Sequence, residues 1–249
     1  MMKVWNIKLN TWQYQKINRY LKMNGNRKTA IIVGILFITA TFTTSISQVL
    51  LTPILETPDF LLHIGVHSNQ FVLGVLLELV NALASVSIAI AIFPVLKKYS
   101  EGIAIGYVSF RAIEATIGII AATKLLSLLT LSQTDTMAEN SITSDSKSLS
   151  TYLIAAHDWT FLLLLLVFSL GALMLYPALY NSQLVPRIIS LWGLVGSIML
   201  LIANLLILFG FTDLNSAIDN FLSLPIGSNE MVLAVWLIAK GFNLSAIDH

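Results

Sequence analysis

The run FLLLLLVFSLGALMLY, residues 161–176, decides the fold. A strand of a membrane barrel alternates lipid-facing and interior positions over about 10 residues. This run is longer and shows no alternation. In hydrocarbon every backbone N–H and C=O must be satisfied inside the segment, which leaves the α-helix for an unbroken apolar run. A bilayer core of about 30 Å takes roughly 20 such residues, and the apolar character extends over 152–177.

Reading outward, five more segments have the same character: 30–51, 70–95, 103–131, 188–211 and 230–245. The chain of 249 residues is 56% hydrophobic and 11% charged, against roughly 25% charged in soluble domains. The expected class is therefore all-α: an integral membrane helical bundle of six transmembrane helices, with the lipid bilayer as its principal partner. A net charge of +1, with no long basic face beyond the N-terminal segment, argues against a nucleic-acid partner. With no cysteine in the chain, thiol chemistry and disulfides are excluded.

Basic residues in short loops stay cytoplasmic. Lys3, Lys8, Lys16, Arg19, Lys22, Arg27, Lys28, Lys97, Lys98 and Arg187 fall on one side of the six spans, and only Lys147 on the other. Glu56, Asp59, Asp135, Glu139, Asp145, Asp213 and Asp219 share the side of Lys147. Both termini are expected inside. Residues 1–28 form a basic cytoplasmic segment and 29–249 the six-span domain. Within residues 1–22, Trp5, Leu9 and Trp12 share one helical face, as in a helix lying in the headgroup layer; the alternatives are a poorly ordered tail or a start of translation at Met23. ETPDFLLHIGVHSN, residues 56–69, predicts a short surface helix with Pro58 near its start. Residues 132–150, polar and without periodicity, predict a flexible loop.

NRKTAIIVGILFITAT, QFVLGVLLELVNALASVSIAIAIFPVLKKYSEGIAIGYVSFRAIEATI and LVPRIISLWGLVG together resemble the bacterial membrane family DUF4386, a domain of unknown function. The resemblance covers nearly all of 23–245, with Glu78 to Glu114 its most specific part. It implies a multi-pass protein of the bacterial inner membrane and carries no activity with it.

Ionisable residues at membrane depth cost roughly 2.5–3.5 kcal/mol on insertion scales and face protein or water. Here they are Glu78, Arg111, Glu114, Lys124, His157, Asp158 and Lys240. Arg111, nine residues beyond Gly102, lies roughly 14 Å deep at about 1.5 Å per residue. Glu78, eight residues beyond Gln70, lies about 12 Å from the opposite face. Glu114 is one turn from Arg111. A polar intramembrane cluster of Glu78, Asn81, Arg111 and Glu114 is therefore expected. It either lines a hydrated pocket for a small molecule, ion or lipid, or only fixes helix register.

Asp158 is expected to pair with Lys124. The sharper alternative is acid–base chemistry by His157 with Asp158, in an intramembrane enzyme. A scaffold with purely structural charges is the third reading. His63 and His67, four residues apart, are the only metal candidates, with Asp59 one turn earlier and His157 as a third ligand. Zinc takes three or four ligands, and the HExxH motif is absent. No metal or cofactor is expected. Gly193, Gly196 and Ser197 are small residues suited to close helix contact.

Overall fold

The computed structural model of the chain describes residues 11–137 and 144–243. Seven helices follow in order: α1 (Thr11–Leu55), α2 (Phe60–Val66), α3 (Ser68–Tyr99), α4 (Glu101–Met137), α5 (Ser144–Ser182), α6 (Arg187–Leu208) and α7 (Ala217–Ala239). There is no strand among the described residues. Six helices, all but α2, are long and apolar enough to cross a bilayer. This is an all-helical membrane bundle. The segment around Trp5 and Leu9 lies outside the described residues, and from Thr11 the chain continues into the first span as one helix.

The six long helices form a closed ring, each packed on the next and α7 packed back on α1. Short connections make ring neighbours antiparallel. One end of the ring carries the start of the first span; the other carries α2. At the first end all six helices share one apolar core, in which Phe37, Ile88, Ile92, Tyr107, Leu175, Tyr176, Leu179, Leu233 and Leu237 are buried. Toward α2 the core is smaller. It contains Leu51, Ile54, Ile64, Phe71, Leu125 and Leu128, and nothing from α6 or α7. Ser132 Oγ donates to the Leu61 carbonyl at 2.6 Å and ties α2 to α4. Gln70 Nε2 donates to the Leu50 carbonyl at 2.9 Å and ties α3 to α1.

Two expectations need correction. Much of the loop expected over 132–150 is helical, since α4 runs to Met137 and α5 begins at Ser144. Serine and threonine hydroxyls in these end turns bond carbonyls of their own helix, Thr134 to Thr130 and Thr151 to Lys147. Polarity there marks helix ends emerging from hydrocarbon, and the helix itself continues.

The sixth span is Ala217–Ala239 and not 230–245. Ser216 caps its first turn, accepting from the Asp219 N–H at 3.2 Å, while an Asp219 carboxylate oxygen accepts from Asn215 N at 2.9 Å. Such reciprocal caps satisfy amide groups that a helix start leaves unpaired. At the far end Gly241 takes φ +80°, the left-handed conformation that stops a helix and suits glycine. Lys240 is thus the C-cap and no longer interrupts a span.

Arg27 fastens the ring where it closes. Its Nη1 donates to the Leu237 carbonyl at 3.0 Å, and its Nη2 to the carbonyls of Ile238 and Ala239. A guanidinium at a helix C-terminus answers both the unpaired carbonyls and the helix dipole. Arg27→Ala should lower stability by about 1–2 kcal/mol, read as a reduced unfolding midpoint in detergent. Arg27→Lys should recover only part, because an ammonium lacks the planar fork. Full recovery by lysine would show that charge alone matters.

Candidate functional site

Arg111 lies in the wall of the ring, 3% exposed, with Tyr107 and Glu114 one turn to either side. Its Nε donates to the Tyr107 hydroxyl at 3.0 Å. Its Nη1 donates to Glu114 Oε1 at 2.9 Å and Oε2 at 3.1 Å. The guanidinium carbon stands 4.8 Å from the centre of the Phe168 ring on α5, within the range of a cation–π contact. Nη2 faces Glu230 Oε1 of α7 at 3.7 Å, an ion-pair separation too long for a hydrogen bond. The Ser85 hydroxyl of α3 bears on Glu114.

Arg111 and Glu114 therefore pair, whereas Glu78 stands apart from them. Glu78 is 22 residues before Ser100 and Arg111 is 11 after it. At about 1.5 Å per residue that is roughly 16 Å of axial offset, three turns, beyond the reach of an arginine. The acid that faces Arg111 from another helix is Glu230. It lies nine residues before the end of α7, as Arg111 lies ten after the start of α4, so the two share a level. The sequence reading missed Glu230 by starting its span there. The signal that would have found it is Ser216-x-x-Asp219, a helix start about 21 Å upstream at about 1.5 Å per residue.

Glu78 belongs to a second cluster nearer α2. His157 Nδ1 lies 3.1 Å from Asp158 Oδ1, and His157 Nε2 lies 3.6 Å from Glu78 Oε1. Nε2 is buried without a hydrogen-bond partner. The imidazole thus stands between two carboxylates and stacks on Phe161, with ring centres 6.2 Å apart. The expected Lys124–Asp158 pair does not form: Asp158 turns to its chain neighbour, and Lys124 enters no ion pair among the described residues.

Asn81 joins the two clusters. It lines both a cavity of about 280 Å³ around Glu78, His157 and Asp158 and one of about 430 Å³ around Arg111, Glu114 and Glu230. Thr44, Gln48, Phe161 and Asn215 are also common to both, so the two cavities adjoin and share a wall. Their walls run from Glu56 at the α2 end down to Arg111. Beyond Arg111, the core containing Tyr107 and Tyr176 fills the ring.

His63 and His67 stack with ring centres 6.0 Å apart, and His67 Nδ1 lies 3.2 Å from the His63 carbonyl. His157 is in the cavity with Glu78 and Asp158 instead of joining them. Among the described residues no three histidine or acidic side chains converge as a metal would require.

A family model described as domain of unknown function, DUF4386, matches residues 32–241. The chain belongs to this family. No curated protein and no solved structure matches it. The DUF4386 match spans both clusters, Asn81 between them and the helix that supplies Glu230. The residues that line both cavities therefore all fall within the DUF4386 match.

Proposed function

We propose that this DUF4386 protein is a multi-pass protein of the bacterial inner membrane that binds a small organic cation of the ammonium type in the cavity between Glu78 and Glu230. The observation that carries this reading is the imbalance of charge around the two adjoining cavities. Glu56, Glu78, Glu114, Asp158, Asp219 and Glu230 line them, against Arg111 and His157. Arg111 is already committed to Glu114. Asp219 is engaged by Asn215 N and by the Ser223 hydroxyl at 3.0 Å. The remaining carboxylates favour a cation, since like charges held together in a poorly solvated space repel. Phe37, Phe161 and Phe168 lie in the walls of the larger cavity, and aromatic rings suit an organic ammonium.

The distribution of lysine and arginine supports an orientation with both termini cytoplasmic. The acidic mouth then faces outward and draws cations toward the cavity. The packed core below Arg111 supports binding over open passage.

The test uses the full chain in nanodiscs of neutral lipid and titrates it with propylammonium, with propionate as the control of opposite sign. Propylammonium should bind and propionate should not. Glu230→Gln should weaken propylammonium binding about 10- to 100-fold, as expected for one charge-assisted hydrogen bond, and leave the Arg111–Glu114 pair in place. Equal binding of the two ions, or an unchanged affinity in Glu230→Gln, overturns the reading.

A further inference from the structure

The ring is not equally tight along its length. At the end carrying the start of the first span, α1 and α7 are in close contact: a Cβ on Gly34 would stand 2.7 Å from the Ala234 carbonyl oxygen. Toward α2 that intimacy is lost. No residue of α7 enters the apolar core there. Both helices instead contribute to the wall of the larger cavity, through Thr41, Ser45 and Gln48 on α1 and Asn220, Leu224 and Gly227 on α7.

Three observations mark this stretch as a gap between the helices. A Cβ on Gly227 would meet nothing within 4 Å. Ser45, Gln48, Asn220 and Leu224 are all exposed although they line the cavity. The Thr41 hydroxyl, on the same wall, is buried and has no hydrogen-bond partner. The gap lies between two membrane-spanning helices, in the flank of the bundle.

Resting on the cation reading above, we infer that the ligand is an amphiphilic amine that reaches the cavity from the bilayer through the gap between α1 and α7. Its ammonium head would meet Glu230 while its chain lies in the gap. The chemistry of the two ends fits. Polar side chains of α1 give a sliding head hydrogen-bond partners between lipid and cavity. Leu224, Phe37, Leu165 and Leu200 give the chain an apolar wall. A cavity of about 430 Å³ lies within the roughly 300–1,000 Å³ typical of small-ligand sites. It holds a head and the first part of a chain, with the rest left in lipid.

The test compares two amines that share a head and differ in tail. Full-length protein in neutral-lipid nanodiscs is loaded with radiolabelled propylammonium, and unlabelled propylammonium or dodecylammonium is added as competitor, with empty nanodiscs as the baseline. Dodecylammonium should compete at a concentration at least tenfold lower. Gly227→Trp, which narrows the gap, should remove that advantage, read as the ratio of the two competitors' affinities falling to about one whatever the absolute propylammonium affinity. Ser45→Trp fills the gap from the α1 side and serves if Gly227→Trp does not fold. If dodecylammonium competes no better than propylammonium, or if the folded tryptophan variant shifts both amines alike, the lateral route is wrong while the cation site stands. If propylammonium does not bind the parent protein at all, the cation reading falls and this inference falls with it.

Discussion

Arg111→Met is expected to lose about 3–5 kcal/mol of stability, the usual consequence of stripping one partner from a buried ion pair. The loss follows from what remains. Glu114 is 4% exposed and takes two hydrogen bonds from Arg111 Nη1. Without them it is left with the Ser85 hydroxyl, and Glu230 stands nearby as a second acid. The variant should extract from membranes mostly as aggregate on size exclusion, with a lowered unfolding midpoint in the surviving fraction. Arg111→Met with Glu114→Gln should regain part of the loss, since the pair itself is then neutral and of similar shape while Glu230 keeps its carboxyl. Adding Glu78→Gln to that pair should change little, because Glu78 faces His157. A double variant no more stable than Arg111→Met would show that the ion pair is not what holds this level of the bundle.

The second large effect lies where α6 meets α7. A Cβ on Gly196 would stand 2.9 Å from Ile226 N, 3.0 Å from Ile226 Cα and 3.1 Å from the Pro225 carbonyl carbon. These are backbone atoms, so no rotamer change makes room, and the two helices must part. Gly196→Leu is expected to lower stability by about 3 kcal/mol, at the upper end of overpacking costs. It should also weaken propylammonium binding, because α7 carries Glu230. Gly102→Ala, at a glycine with nothing within 4 Å, is the control and should stay within about 0.5 kcal/mol. Thermal unfolding of both in detergent decides the matter: equal midpoints would mean that the α6–α7 contact is slack.

The fold was legible where hydrocarbon imposes one answer. FLLLLLVFSLGALMLY can only be a helix in lipid, and the same logic located the first five spans to within a few turns. The sixth was misread because Pro225, Gly227, Ser228 and Asn229 look like a loop in water. Inside the bundle their polar groups are met by neighbours: Asn229 Nδ2 donates to the Ile189 carbonyl at 2.8 Å, and Pro225 rests against Gly196. A sequence shows the polar residue and conceals its partner on another helix.

The site was legible in the same uneven way. Arg111 and Glu114 are one turn apart, and local geometry alone brings them together. Glu78 and Glu230 required correct axial offsets, which depend on where each helix begins and ends. Counting depth from Gln70, the expected start of the span, made the two levels look comparable, when the offset measured from the Ser100 turn is three turns. Glu230 was hidden by the misplaced start of its own helix. Lys124 and Asp158 have matching depths, but depth does not give rotation about the helix axis, and His157 was the nearer partner.

The Arg111–Glu114 pair has a consequence for the order in which this protein is made. Both residues belong to α4, so the fourth helix to be synthesised brings the counter-ion of Arg111 with it as it passes into lipid. No later helix is required to make that step affordable in energy. Glu230 arrives only with α7, when the cavity walls already stand, and finds Arg111 in place at its own level. The chain thus inserts Arg111 early under local cover, and adds Glu230 last, after there is a sheltered place to put it.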